Sequence, residues 1–261
     1  MRMSIALGKM ETIVEAFSAM LCTQQTCKKT RRGTVFGAVK EDKAPKELLI
    51  YGGWPDWENE QYDFQYEALK DHKFDAALWR QEQLGTLLGR CEELESLHLE
   101  NMEFYTLPKK AAVQCFFANL RDCSKLKKLA VVNNANGGAH MRDIIPEVRK
   151  LPLRELNLTG NRLYREDMFP EEEVELERET KFLEILDMLG TCKTLESLSL
   201  ADMNLMLGSG PAQDDATTRV VLRLMQELPL LKALDLSENQ IHADAQAAIE
   251  AAAPATLEVV F

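Results

Sequence analysis

The sequence predicts an α/β solenoid, a stack of repeated helix–strand units behind an irregular N-terminal cap. A unit of the form L-x-x-L-x-L-x-x-(N or M)-x-apolar starts at Leu94 (LESLHLENMEF), Leu126 (LKKLAVVNNAN), Leu153 (LRELNLTGNRL), Leu195 (LESLSLADMNL) and Leu231 (LKALDLSENQI). Self-similarity of this kind marks an architecture in which each unit buries its apolar face only against its neighbours. Leucines at the fourth and sixth positions (Leu97 and Leu99, Leu156 and Leu158, Leu198 and Leu200, Leu234 and Leu236) have the period of a strand with one buried face. Apolar stripes at i, i+3, i+4 and i+7 precede three of the units: Leu84 to Cys91, Ile185 to Cys192 and Val221 to Leu228. Each is the buried stripe of a helix.

Taken in order, residues 1–83 form the cap or an atypical first repeat, and residues 84–261 form the solenoid. Within the cap the pattern predicts a helix inside residues 4–22, a basic run KKTRR (28–32), a strand KELLIY (46–51) and an aromatic, acidic stretch WPDWENEQYDFQYE (54–67). Pro45, Leu48, Ile50 and Gly53 match the spacing of the strand unit and place an extra strand beside that of Leu94. Before Leu126 the helical stripe is Phe116, Asn119, Leu120 and Cys123, with Asn119 out of type; before Leu153 it is Ile144, Ile145, Val148 and Leu151, shifted by one residue. The copies lie 32, 27, 42 and 36 residues apart, so insertions fall in the third and fourth, and a truncated sixth copy, LEVV, starts at Leu257. The alanine-rich run from Ala243 to Ala253 predicts a last helix and LEVVF a last strand.

These five copies resemble the leucine-rich repeat superfamily, in its helix-containing, ribonuclease-inhibitor-like and cysteine-containing branch, over about residues 84–261. The resemblance implies a horseshoe with a parallel sheet on the concave side, helices on the convex side, and ligands held on the concave face or its rim. Cys91, Cys123 and Cys192 each stand three residues before an opening leucine, where a small apolar side chain packs between layers. Asn134, Asn161 and Asn239 occupy the position where the family's asparagine hydrogen-bonds the backbone as the strand turns away. Met102 and Met203 replace it in two copies, whose turns must satisfy their backbone differently.

Composition excludes several function classes. Hydrophobic residues at 46%, charged residues at 28%, 13 glycines and 9 prolines describe a chain with a core, not a disordered or collagenous one. A net charge of −11 repels nucleic acid and anionic membranes on average. The longest apolar stretches fall far short of the roughly 20 residues of a membrane-spanning helix. Glu11 and Glu15 interrupt the N-terminal apolar stretch, no signal-peptide cleavage pattern follows, and a transit peptide is not favoured. The six cysteines form no CxxC pair and no Cys/His cluster, so no metal or cofactor is expected, and the thiols suit a reducing compartment.

Catalytic motifs are missing as well: there is no P-loop, G-x-G-x-x-G, G-x-S-x-G or H-E-x-x-H. Cys115 and Arg121 match C-x5-R, but FFANL continues the helical stripe of Val113, Phe116, Phe117 and Leu120 where a phosphatase loop needs inward-turned amides. His98 and Glu100 share a predicted sheet surface; a general acid–base pair and two polar neighbours on a solvated strand are the alternatives. The sequence predicts no enzyme.

The expectation is a scaffold that binds a protein partner, in the cytoplasm or the nucleus. Its outward strand positions are Ser96, His98, Glu100; Lys128, Ala130, Val132; Glu155, Asn157, Thr159; Ser197, Ser199, Ala201; Ala233, Asp235, Ser237, a small and polar face. From it His98, Glu100, Asn157, Ser199 and Asp235 are the candidate partner contacts. The insertions 162–173 and 204–215 add Tyr164, Phe169 and Met206 as anchors on the same edge, or else these side chains fold over the edge of the stack. KKTRR is similar to a nuclear-import signal, and it could equally touch an acidic partner. PKELL (45–49) with LW (78–79) is faintly similar to an F-box, which makes a ubiquitin-ligase adaptor the alternative; a structural subunit of a larger assembly is another.

Overall fold

The alternating leucines do what their period requires. In the computed structural model, which describes residues 2–7, 46–52, 88, 91–100, 110–134, 138–161, 183–205 and 211–261, Leu97 and Leu99 are buried while Ser96, His98 and Glu100 between them stay partly exposed. The strands are β1 Arg2–Leu7, β2 Glu47–Gly52, β3 Ser96–Glu100, β4 Lys128–Val132, β5 Glu155–Asn157, β6 Ser197–Ser199, β7 Ala233–Asp235 and β8 Glu258–Val260. Between them lie α1 Lys110–Asn119 with the short 3-10 turn Leu120–Asp122, α2 Gly138–Val148, α3 (helical residues 183–189), α4 Pro211–Glu227 and α5 Ala243–Ala252.

All eight strands form one open parallel sheet in sequence order, β1 to β8. Each strand pairs only with its predecessor and successor, which is solenoid order. The register equates Leu97, Leu129, Leu156, Leu198 and Leu234 across five strands, despite the unequal spacing of the copies. Insertions therefore fall outside the strands and cost the ladder nothing. The helical stripes close over these leucines: Leu88, Cys91, Phe116, Leu120, Cys123, Ile144, Ile145, Val148, Ile185, Leu189, Val221 and Leu224 join them in one buried core. Phe116 and Phe117, both fully buried, meet edge to face with ring centroids 5.0 Å apart. Burying one such side chain stabilises the fold by roughly 2 kcal/mol, so the stack holds by many layers rather than by one centre.

The extra strand expected at KELLIY is β2, with Leu48 opposite Leu97 and Ile50 opposite Leu99. Three expectations are corrected. Residues 4–7, read as the start of a helix, belong to β1, because β2 offers its free edge to them. Val132 and Ala201, counted with the solvent-facing positions, are buried. The last copy is one residue out of its expected register: Val259, not Val260, lies opposite Leu234. Glu258 N–H donates to the Lys232 carbonyl, leaving Val260 on the outer face at 45% exposure.

The turn leaving each strand has a common geometry. Asn133, Gly160, Asp202 and Glu238 hold the eighth position of their copies, and all are left-handed, with φ of 52°, 72°, 48° and 60°. Only glycine adopts that region without cost, and Gly160 is also crowded, since a Cβ there would meet the Asn133 side chain. Relieving the strain at Glu238 is the opposite experiment. Glu238→Gly is expected to raise the unfolding free energy by about 0.5–1 kcal/mol, read as a higher urea midpoint, because the left-handed penalty exceeds the entropy that glycine adds to the unfolded chain.

The next position carries the buried asparagines. Asn134 Nδ2 donates to the carbonyls of Leu99 (3.0 Å) and Val132 (2.8 Å), so it ties its own turn to the preceding strand. Asn161 Oδ1 accepts the Asn134 N–H at 3.2 Å. Asn239 resolves the turn that lacks its asparagine: its Oδ1 accepts the N–H groups of Met203 (2.9 Å) and Leu205 (3.2 Å), while its Nδ2 donates to Leu200, Leu236 and Ser237 carbonyls. Met102 lies outside the described residues.

The exposed sheet face as candidate functional site

The parallel register sets the predicted contacts in a row. His98, Ala130, Asn157, Ser199 and Asp235 are successive partners across β3 to β7, on the face turned away from the core. Apart from His98 their side chains are short, and Asn157, Ser199 and Asp235 are engaged in hydrogen bonds within the face. Asn157 Oδ1 accepts the Thr159 N–H at 2.8 Å. Thr159 and Ser199 hydroxyls are 2.9 Å apart, and the Ser199 hydroxyl donates to Asp235 Oδ2 at 2.9 Å. Asp235 Oδ1 accepts both the N–H (3.0 Å) and the hydroxyl (2.7 Å) of Ser237. A hydrogen-bonded line thus crosses three strands, from Thr159 after β5 to Asp235 in β7.

Asp235 anchors that line. Partial burial works against its charge, but the Ser237 hydroxyl, the Ser237 amide and the Ser199 hydroxyl outweigh it and hold the carboxyl below the usual aspartate range. The carboxylate is therefore charged at neutral pH and holds three donors. At the other end of the face, His98 Nε2 lies 3.0 Å from Glu100 Oε2, the two side chains 30% and 24% exposed. These two expected neighbours do meet, across one turn of pleat within a single strand.

The remaining chemistry separates. Cys115 sits inside α1 and Arg121 in the 3-10 turn after it, where Arg121 pairs with Glu147, so C-x5-R forms no anion loop. Cys91, Cys123 and Cys192 are buried, and burial pushes their thiols up to about 11, 12 and 11, which keeps them protonated and unreactive. Cys123 Sγ also donates to the Leu88 carbonyl at 3.1 Å. The PKELL segment enters β2, a strand where the F-box likeness needs a helix, and LW lies outside the described residues. Tyr164, Phe169 and Met206 lie outside them too. Among the described residues no helix is long and apolar enough to cross a membrane, and no group of three or more His, Cys, Asp and Glu could hold a metal ion.

One set of residues escaped the sequence reading. Charges at the second position of the units face one another along the edge where the strands begin: Lys46–Glu95 at 2.7 Å, Arg154–Glu196 at 3.4 Å and Glu196–Lys232 at 2.7 Å. Lys128–Glu155, one position later, closes at 2.7 Å. On the helical side Arg142–Glu184 and Arg223–Asp187 do the same. Exposed pairs of this kind contribute little each, and their order along the stack mainly favours the correct neighbour. Aligning the second positions as a column, Lys46, Glu95, Lys127, Arg154, Glu196 and Lys232, shows the alternation in the sequence, broken once where Lys127 adjoins Arg154.

No protein-family model matches the chain. No curated protein matches it either. Among solved structures it is similar to a tropomodulin C-terminal domain from Caenorhabditis elegans, at 14% identity over 69% of this chain and 90% of that one, with a TM-score of 0.43. The α/β architecture rests on the strand order and registers themselves.

Proposed function

We propose that the chain is a non-catalytic protein-interaction scaffold, a leucine-rich repeat solenoid of the ribonuclease-inhibitor-like branch whose exposed sheet face lines the concave side and receives a protein partner. The observation that supports this most is the hydrogen-bonded line Thr159–Ser199–Asp235–Ser237 on a parallel sheet. Polar groups fixed before binding lose little entropy on contact, and side chains this short let a partner's backbone or helix come close. Asp235, with four lone-pair sites largely satisfied by serines, is suited to holding a surface rather than to moving a proton. Tyr164, Phe169 and Met206 of the insertions remain the candidate apolar anchors, and a reducing cytoplasm or nucleus suits the buried cysteine thiols.

The test places bulk at the centre of the face without touching the hydrogen-bonded line. Ala130 and Ser197 are partly exposed there, in neighbouring rows. Ala130→Arg with Ser197→Arg is expected to leave the unfolding free energy within about 0.5 kcal/mol, as surface changes do. In a cross-linking pull-down from source-cell lysate the variant should lose a protein that wild type recovers, while Asp244→Arg on the exposed side of α5 should retain it. Recovery of the same proteins by both variants removes the sheet face as the site.

A further inference from the structure

The sheet closes on an unguarded strand. β8 is the last of its eight strands, and among the described residues no strand pairs with its outer edge. Lysine or proline commonly protects such an edge, and a polar outer face commonly protects a terminal repeat. β8, Glu258–Val260, holds neither residue. The helix of the same layer, α5, exposes Ala247, Ala248, Ala251 and Ala252, and residues 243–261 carry only the charges of Asp244, Glu250 and Glu258. Val260 is exposed, while Val259 and Phe261 pack against the core and stay only half-buried.

The backbone of β8 decides what fits this edge. Glu258 N–H donates to the Lys232 carbonyl and the Val260 carbonyl accepts the Leu236 N–H, each at 2.8 Å, so both residues turn toward β7. The peptides on either side are trans and therefore point the Leu257 carbonyl and the Phe261 N–H the opposite way. Strand alternation sends both backbone groups of Val259 outward with them. The outer edge thus presents an acceptor, a donor, an acceptor and a donor: Leu257 C=O, Val259 N–H, Val259 C=O and Phe261 N–H. Turned end for end, this row is its own complement. A second β8, antiparallel about a two-fold axis at Val259, matches all four groups: the valines exchange both bonds, and each Phe261 N–H meets a Leu257 carbonyl.

We infer that two copies of the chain associate through β8, paired antiparallel about Val259. The side chains fit this occupant as well as the backbone does. Leu257, Val259 and Phe261 share the core side of the strand. In the pair they fall opposite Phe261, Val259 and Leu257 of the second copy and extend the apolar core across the axis. On the outer face Glu258 falls opposite Val260 of the second copy, so no like charges stand directly opposite each other. The small exposed side chains of α5 leave room for the second layer to approach. A two-fold contact of this kind closes at two copies, and it joins two exposed sheet faces into one surface. It stands whether or not that face receives a partner.

Sedimentation velocity of the full chain over a micromolar concentration series is expected to show a reversible shift from one copy to two and no further. Val260→Glu opposes two carboxylates at both ends of the paired strands and should weaken association about tenfold. Adding Glu258→Lys to that variant turns both contacts into opposite-charge pairs and should restore association. The two variants share the same new carboxylate beside Asp235 of β7, so its local effect on β8 is common to both. Leu230→Glu, which removes the other large exposed apolar side chain among the described residues, should associate as wild type. A chain that stays single throughout, equal weakening by Leu230→Glu, no recovery in the double variant, or species that grow past two copies, as head-to-tail joining of β8 to β1 would give, would each overturn the inference.

Discussion

Asn239→Ala is expected to lower the unfolding free energy by roughly 3–5 kcal/mol, more than any other single polar change in the stack. Its amide serves five backbone groups in two repeats: the Met203 and Leu205 N–H groups and the Leu200, Leu236 and Ser237 carbonyls. The side chain is only 3% exposed, so water cannot replace it at little cost. Asn239→Asp separates the two halves of the role. The carboxylate keeps the acceptor for Met203 and Leu205 but turns a charge toward three carbonyls, so at pH 7 it should be at least as destabilising as alanine. At pH 4 the protonated acid can donate again, and its deficit relative to wild type should shrink. A urea midpoint for Asn239→Ala matching a loss below about 1 kcal/mol would contradict the cross-repeat role of this amide.

That role also shows where sequence reading ends. Met203 stands where its own copy should hold an asparagine, and nothing within the copy says how the turn is satisfied; the partner lies 36 residues on. The buried leucines were legible because a solenoid demands the same residue type in every layer, so Leu97, Leu129, Leu156, Leu198 and Leu234 align by period alone. In LEVVF the apolar residues fit two phases equally, and the choice of Val259 over Val260 is made by the hydrogen bond from Glu258 to Lys232. Ile5, Ala6 and Leu7 suit helix or strand, and the open edge of β2 decides for strand. Strand alternation identified the exposed face with His98, Asn157, Ser199 and Asp235 on it. The hydrogen bonds that lock the last two together depend on side-chain reach across strands, which spacing does not encode.

The three interlayer cysteines lead to the second large expected effect, a loss of stability in alkali. Burial raises the thiols of Cys91, Cys123 and Cys192 from an ordinary value near 9 to about 11, 12 and 11. Below pH 9 they are neutral in folded and unfolded chains alike, and their packing contribution is fully present. Between pH 9 and 11 the unfolded chain gives up three protons that the folded chain retains, so the unfolded state gains and stability falls. Each thiol adds a slope of about 1.4 kcal/mol per pH unit across that window, and three together exceed most single substitutions. Tyrosine and lysine ionise nearby in pH, which makes the comparison with Cys91→Ala, Cys123→Ala and Cys192→Ala combined the informative one. That variant should be less stable at pH 7, from lost contacts of about 1 kcal/mol per site, yet its urea midpoint should fall less between pH 8.5 and pH 10.5. Parallel falls in the two proteins would mean that the thiols ionise equally in both states, and the layer packing around them would have to be more open to water than their burial allows.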